Sequence, residues 1–164
     1  MKTGLAPVGS SDPRLVILGS LPGDASLAAR RYYAHPTNQF WKLVGNAIGE
    51  DLAALDYDQR LDQLGRYRIG LWDVIGSASR RGSLDQAIRM ARHNPLADWL
   101  ESLPSLEGVA FNGNAAAAAG RKLLAGFERA ELIDLPSSSA ANTVAFAAKV
   151  ERWSVLARYC RADT

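Results

Sequence analysis

Thiols and imidazoles are nearly missing from this chain. Cys160 is the only cysteine, and His35 and His93 are the only histidines, among 164 residues. One thiol closes no disulfide within a chain and builds no cysteine-ligated zinc site or iron–sulfur cluster. With no acidic triad either, no metal and no cofactor are expected. No apolar run approaches the roughly 20 residues that span a bilayer. The first residues lack a charged-then-apolar leader, so a cytoplasmic protein without a membrane partner is expected. Neither a G-x-G-x-x-G nor a Walker phosphate loop is present, which counts against an ordinary nucleotide-binding module. A G-x-S-x-G elbow is also absent, and two histidines leave a serine hydrolase little choice of base.

A strong excess of one charge is lacking too, because the formal net charge is only +2. Lysine is scarce: Lys2, Lys42, Lys122 and Lys149 are the only four among the 19 basic residues. Arginine supplies the rest, and its planar fork suits phosphate better than an ammonium does. A GC-rich genome explains the same bias equally well. Lys42 reads as solvent-facing, and Lys122 and Lys149 as helix-surface residues. None resembles an activated nucleophile.

What is present is 48% hydrophobic content in one domain-sized chain, enough for a sizeable core. Residues 1–13 are rich in Gly, Pro and Ser and read as a flexible lead-in to a single domain over 14–164. Leu15 to Leu18 is a continuous apolar run, the pattern of a strand covered on both faces. Arg68 to Ile75, Glu107 to Phe111 and Glu131 to Leu135 read as three further strands. Helices are expected near Leu27, over Phe40 to Ile48, Ser83 to Met90, Leu96 to Leu103 and Ala115 to Leu124. A last helix is expected from Thr143 to Tyr159, with Phe146, Val150, Trp153 and Leu156 on one stripe. Alternating strands and helices predict a three-layer α/β/α fold around a central four-stranded parallel sheet. The loops after the strands, 19–26, 73–83, 112–114 and 135–142, then gather at one edge, where such sheets bind ligands.

Two segments stand out. Gly19-Ser20-Leu21-Pro22-Gly23 follows the first strand and leaves backbone N–H groups free at the sheet edge. His35-Pro36-Thr37-Asn38-Gln39-Phe40-Trp41 packs amide, ring and indole into a few positions, a set suited to a flat polar heterocycle. A third, Leu135 to Asn142, carries Ser137, Ser138 and Ser139. Together the three resemble the uracil-DNA glycosylase superfamily, most of all its hypoxanthine-DNA (deoxyinosine) glycosylase branch, from about Leu15 to Tyr159. Mismatch-specific uracil-DNA glycosylases carry a similar His-Pro-x-Asn-x-Phe-Trp segment, but place Asn where this chain has Leu21.

The resemblance implies a monofunctional, monomeric glycosylase acting on DNA that contains a deaminated base. It nominates Asn38 to hold the hydrolytic water; tethering the backbone ahead of the helix is the alternative. His35 offers an electrophile or phosphate ligand, or pins its loop. Phe40 offers a platform for the extruded base, or simply packs with Trp41. Tyr32 and Tyr33 line the base pocket or brace the loop. Gly19 to Gly23 present amides to a base carbonyl. Asp73 and Asn112 stand at strand ends, where each meets a base edge or tethers a loop.

For DNA contacts, Ser137 to Ser139 offer hydroxyls and amides to phosphates, assisted by a last helix capped at Asn142-Thr143. Arg80 and Arg81 form a phosphate clamp or a solvated turn. The family presses the serine loop into the duplex, yet Ala140 and Ala141 are small where a bulky wedge is implied. Leu21 leaves room for a purine, so hypoxanthine is expected to be preferred, and an Asn there to restore some uracil excision. Two rivals remain open: a uracil or mismatch glycosylase on the same scaffold, and a non-catalytic nucleotide-binding module.

Overall fold

A computed structural model of the chain describes residues 1–162. Its centre is a five-stranded sheet in the order β2-β4-β3-β7-β8. The strands are β2 (Val8–Gly9), β3 (Leu15–Gly19), β4 (Ile69–Asp73), β7 (Gly108–Asn112) and β8 (Glu131–Leu135). The expected four run parallel, and the short β2 adds an antiparallel edge against β4. Every residue of β3 is buried. Alternation explains this: Leu15 and Ile17 enter one apolar cluster, Val16 and Leu18 the other.

Each cluster is roofed by helices. The helix expected near Leu27 forms as the short α1 (Asp24–Ala29). Phe40, Trp41, Leu43 and Val44 of α2 (Phe40–Ile48), Leu64 of α3 (Tyr57–Arg66) and Trp153 of α6 (Phe146–Trp153) cover one face. Leu96 and Leu100 of α4 (Leu96–Glu101) and Ala116 of α5 (Asn114–Leu123) cover the other. Burying each such aliphatic side chain contributes roughly 1.5–3 kcal/mol. The three-layer α/β/α expectation is met.

Several local expectations are not. Residues 1–13 are no loose lead-in: β1 (Lys2–Thr3) and β2 both pair with strands, and the Leu5 carbonyl accepts from Trp72 Nε1 at 3.0 Å. The stretch 73–83 is not a loop but contains β5 (Ile75–Arg80). The helix expected at Ser83 to Met90 is a single turn of 3₁₀ followed by β6 (Ile88–His93). β1, β5 and β6 form a second, antiparallel sheet. Gly82, at φ 73°, reverses the chain between β5 and β6, and Ile75, Ala78 and Ile88 bury themselves against Leu21. That apolar contact outweighs the weak helical preference of Asp85-Gln86-Ala87.

The final helix starts later than expected, at Phe146, because Asn142 Oδ1 accepts from Val144 N–H and makes a local turn instead of a cap. Phe146 is 40% exposed and leaves the apolar stripe. No helix among the described residues is long and apolar enough to cross a membrane.

Candidate active site

β3 lies between β4 and β7, so the chain leaves the sheet to opposite sides at its carboxyl end. A crevice opens at such a switch point. It holds a cavity of about 290 Å³, at the small end of the ~300–1,000 Å³ common for small-molecule sites. The cavity is walled by Gly19 to Gly23, the segment from Tyr32 to Asn38, Asp73, Asn112, and Ser137 to Ala141. All three sequence segments therefore converge. Ser83, at the end of the expected loop 73–83, completes the rim with Leu84 and Asp85, and sequence reasoning misses the last two because it places them in a helix.

The first loop is held by its carbonyls. Gly19 and Ser20 oxygens accept from Val74 and Ile75 N–H at 2.8 and 2.9 Å. Leu21 and Pro22 oxygens accept from the Arg80 guanidinium. Arg80 is thus not a phosphate clamp. Its side chain is fully buried, with Asp85 Oδ1 3.8 Å away, because only a long forked donor reaches two adjacent carbonyls of the turn. Arg81 stays exposed. Ser20 Oγ donates to Asp85 Oδ1 at 2.5 Å and fixes the loop's far side. Gly19 must be glycine: a Cβ there would lie 2.6 Å from Asp73 Oδ1 and 3.1 Å from Tyr33 Oη.

Tyr33 adopts φ 53° and lays its ring on Phe40, with centroids 3.8 Å apart and planes 13° from parallel. Phe40 is wholly buried and does not reach the cavity. The ring that faces it is Tyr33, and Phe40 backs that ring from behind. Phe40 takes its core-packing alternative, since it opens α2 and points into the core, while Tyr33 lines the cavity as expected. Burial, reinforced by Asp73, raises the Tyr33 hydroxyl pKa, so Tyr33 is a neutral donor. His35 and Thr37 also line the cavity, and Thr37 Oγ1 lies 2.8 Å from His35 Nδ1.

A hydrogen-bonded chain ties the walls together. Asn112 Oδ1 accepts from Ser138 N–H at 2.9 Å, and its Nδ2 donates to Ser138 Oγ at 2.9 Å and Tyr33 Oη at 3.3 Å. Ser138 Oγ in turn donates to Asn38 Oδ1 at 2.8 Å, and Phe40 N–H donates to the same oxygen at 2.9 Å. Asn112 lines the cavity and takes the tethering alternative, its amide engaged in this scaffold. Asn38 serves as backbone tether through its oxygen, while its Nδ2 has no partner among the described residues.

Lys149, expected on a helix surface, is instead fully buried. Its Nζ donates to Gln39 Oε1 at 2.9 Å and to the Ser139 and Asn142 carbonyls at 3.2 Å. It locks the serine loop to the segment before α2. A lysine in an otherwise apolar helix face gives no warning of this.

Asp73 is 4% exposed, and its Oδ2 has no hydrogen-bond partner. Burial, then the Asp85 carboxylate, pushes its pKa up to about 7, with Arg80 opposing. The cavity thus contains one carboxyl poised between two protonation states. Ser137 and Ser139 stand at the cavity edge.

Such a pocket at the carboxyl edge of the sheet, lined by tyrosine rings and a buried carboxyl, is the arrangement of an α/β enzyme scaffold. The family model described as the uracil DNA glycosylase superfamily matches residues 6–157, and the chain belongs to that superfamily. It is 39% identical over 154 residues to a protein of Methanosarcina barkeri named hypoxanthine DNA glycosylase, spanning 93% of this chain and 96% of that one. A Methanosarcina acetivorans protein of the same name is 38% identical over 159 residues, 97% of this chain and 99% of its own. The solution NMR structure of a candidate uracil DNA glycosylase from M. acetivorans superposes with a TM-score of 0.85 at 39% identity, covering 96% of each chain.

Proposed function

We propose that this chain is a monofunctional DNA glycosylase that hydrolyses the N-glycosidic bond of a deaminated base in DNA, with hypoxanthine as its main substrate. The observation that carries the reading is the pocket itself, whose lining brings together the Tyr33 ring, the buried Asp73 carboxyl and the Asn38 amide, in a chain similar over nearly its whole length to two proteins named for this activity. Departure of the base leaves an oxocarbenium-like sugar, which water captures. The enzyme must take the base from the stack, grip it, support the cation and place the water.

The residues divide these tasks. The extruded base lies on Tyr33, which Phe40 backs from the core side. Gly19 to Gly23 turn their carbonyls to other partners, which leaves the Leu21 and Gly23 amides to meet the base carbonyl. Protonated Asp73 donates to a ring nitrogen and favours departure; ionised, it supports the sugar cation. Asn38 positions the water through Nδ2, because its oxygen is committed to Ser138 and Phe40, and the Asp73 carboxylate left after donation to the base takes the water's proton. Ser137, Ser139 and His35 contact flanking phosphates, as does Arg81 from the rim.

The test is a panel of single-lesion duplexes carrying hypoxanthine, uracil or xanthine, incubated with the protein and cleaved by alkali. Hypoxanthine should be released fastest. Uracil released faster would favour the second reading, a uracil DNA glycosylase, which the description of the M. acetivorans structure suggests. Cleavage of none would return the pocket to a binding role.

A further inference from the structure

The hairpin of β5 and β6 is fastened to the pocket but presents its tip outward. Ser83 Oγ accepts from Asp24 N–H at 2.9 Å. Asp85 Oδ1 accepts from Ser20 Oγ at 2.5 Å. The Gly82 carbonyl accepts from Lys2 Nζ at 2.5 Å and Arg80 Nε at 3.0 Å. Between two residues anchored in this way stands Leu84, 49% exposed and lining the cavity mouth. A large apolar side chain held outward by neighbours on both sides is costly to leave in water and needs a reason.

On the serine loop the cavity lining offers nothing comparable, because Ala140 and Ala141 carry only methyl groups there and the exposed Val144 and Phe146 beyond them do not line the cavity. The hairpin also bears charge of one sign. Arg81, Arg89 and Arg92 are exposed, and the only acid between residues 75 and 94 is Asp85, already engaged by Ser20. Met90 adds a second exposed apolar side chain, at 71%.

Resting on the glycosylase reading, we propose that residues 81–92 are the duplex-gripping arm. Leu84 fills the gap that the extruded nucleotide leaves in the stack, and Arg81, Arg89 and Arg92 meet the phosphates around it. Apolar wedges between base steps and cationic contacts to the backbone are how proteins hold deformed duplex. The serine loop then serves as a smooth wall, and the wedge comes from the other side of the mouth.

The experiment compares single-turnover excision of hypoxanthine from a duplex and from a single strand, where no stack needs filling. Leu84→Ala should lower the duplex-to-single-strand ratio at least ~10-fold, the scale of a few kcal/mol of unstacking left unsupported. Leu84→Met, which keeps the bulk, should restore the ratio. Equal loss on both substrates would make Leu84 a pocket wall and overturn the proposal, and so would an unchanged ratio.

In parallel, the Arg81→Gln, Arg89→Gln, Arg92→Gln triple variant should flatten the salt dependence of duplex binding, by about 0.9 in log–log slope for each arginine–phosphate pair removed. An unchanged slope would overturn the arm. A wild-type protein that excises none of hypoxanthine, uracil and xanthine from either substrate refutes the glycosylase reading instead, and the salt slope still decides whether the hairpin grips duplex.

Discussion

Replacing Asp73 by Asn should reveal how much the pocket costs the fold. The carboxyl is buried, its Oδ2 lacks a partner, and its pKa rises from 3.8 to about 7. That rise corresponds to roughly 4 kcal/mol once the group is fully ionised. Its sign is definite. Between pH 4 and pH 7 the unfolded chain has released this proton and the native protein keeps it. Stability from this group is therefore fully present below pH 4 and lost as pH rises through 7. Asparagine has no such titration. In urea unfolding of both proteins at pH 4, 5, 6, 7 and 8, the variant should gain on the wild type by up to about 4 kcal/mol, nearly all of it above pH 4. Taking the difference cancels the titrating groups that do not interact with Asp73. A gap independent of pH, or one that widens toward acid, would refute both the buried ionisation and its assignment to Asp73. Excision carries a second signature: the wild-type rate should fall above pH 7 as the donor is lost, and the Asn variant should lose that alkaline limb.

The remaining substitutions separate machinery from scaffold. Asn38→Ala should slow single-turnover excision by at least ~10² and also lower stability by about 1 kcal/mol in a chemical melt, since its oxygen caps Phe40 N–H. Lys149→Ala strands three acceptors and leaves a hole, so stability should fall by roughly 2–4 kcal/mol, and a loss under 1 in thermal or urea unfolding would contradict the clamp. Arg80→Ala should destabilise by a similar roughly 2–4 kcal/mol, because it frees the Leu21 and Pro22 carbonyls. Arg81→Ala should stay within about 0.5 kcal/mol of wild type while weakening binding to matched and lesion DNA alike in anisotropy titrations.

The sheet is legible in the sequence because its signal is local. A run such as Leu15 to Leu18 states its own burial, and three of the four expected parallel strands are followed by a glycine, serine or asparagine turn that reaches the same edge. The cavity follows from topology, since loops after parallel strands cannot avoid one another. The hairpin is not legible, because β5 and β6 pair with each other, and β5 with the first residues, through backbone bonds. Register shifts in that pairing also blur the period of two that marks a strand.

Side-chain roles are hidden for a related reason. Arg80 and Arg81 are neighbours of one type, and only three-dimensional closure sends one guanidinium into the first loop and the other to solvent. Phe40 and Tyr33 are interchangeable as platforms until the helix start fixes which ring is inside. Lys149 is invisible to patterning, because its three acceptors come from Gln39 and the serine loop, outside its own helix.

Leu21 shows how site and scaffold are coupled, and it reverses one expectation. From sequence, an Asn at this position should bring back the water-holding group of the uracil-specific cousins and some uracil excision. In the structure Leu21 is 5% exposed and packs with Ile75, Ala78 and Ile88, the apolar seam joining the hairpin to the first loop. An amide there forfeits about 1.5–3 kcal/mol of burial and enters a seam of aliphatic side chains, adding the cost of a polar group without a partner. The hairpin would loosen before any water was caught. Leu21→Asn should therefore lower the unfolding free energy by roughly 2–4 kcal/mol, reduce hypoxanthine excision and leave uracil excision at the wild-type level. Both rates can be read on the same lesion panel. A folded Leu21→Asn protein that excises uracil clearly faster than the wild type would show that the seam repacks and that the first loop alone sets the choice of base.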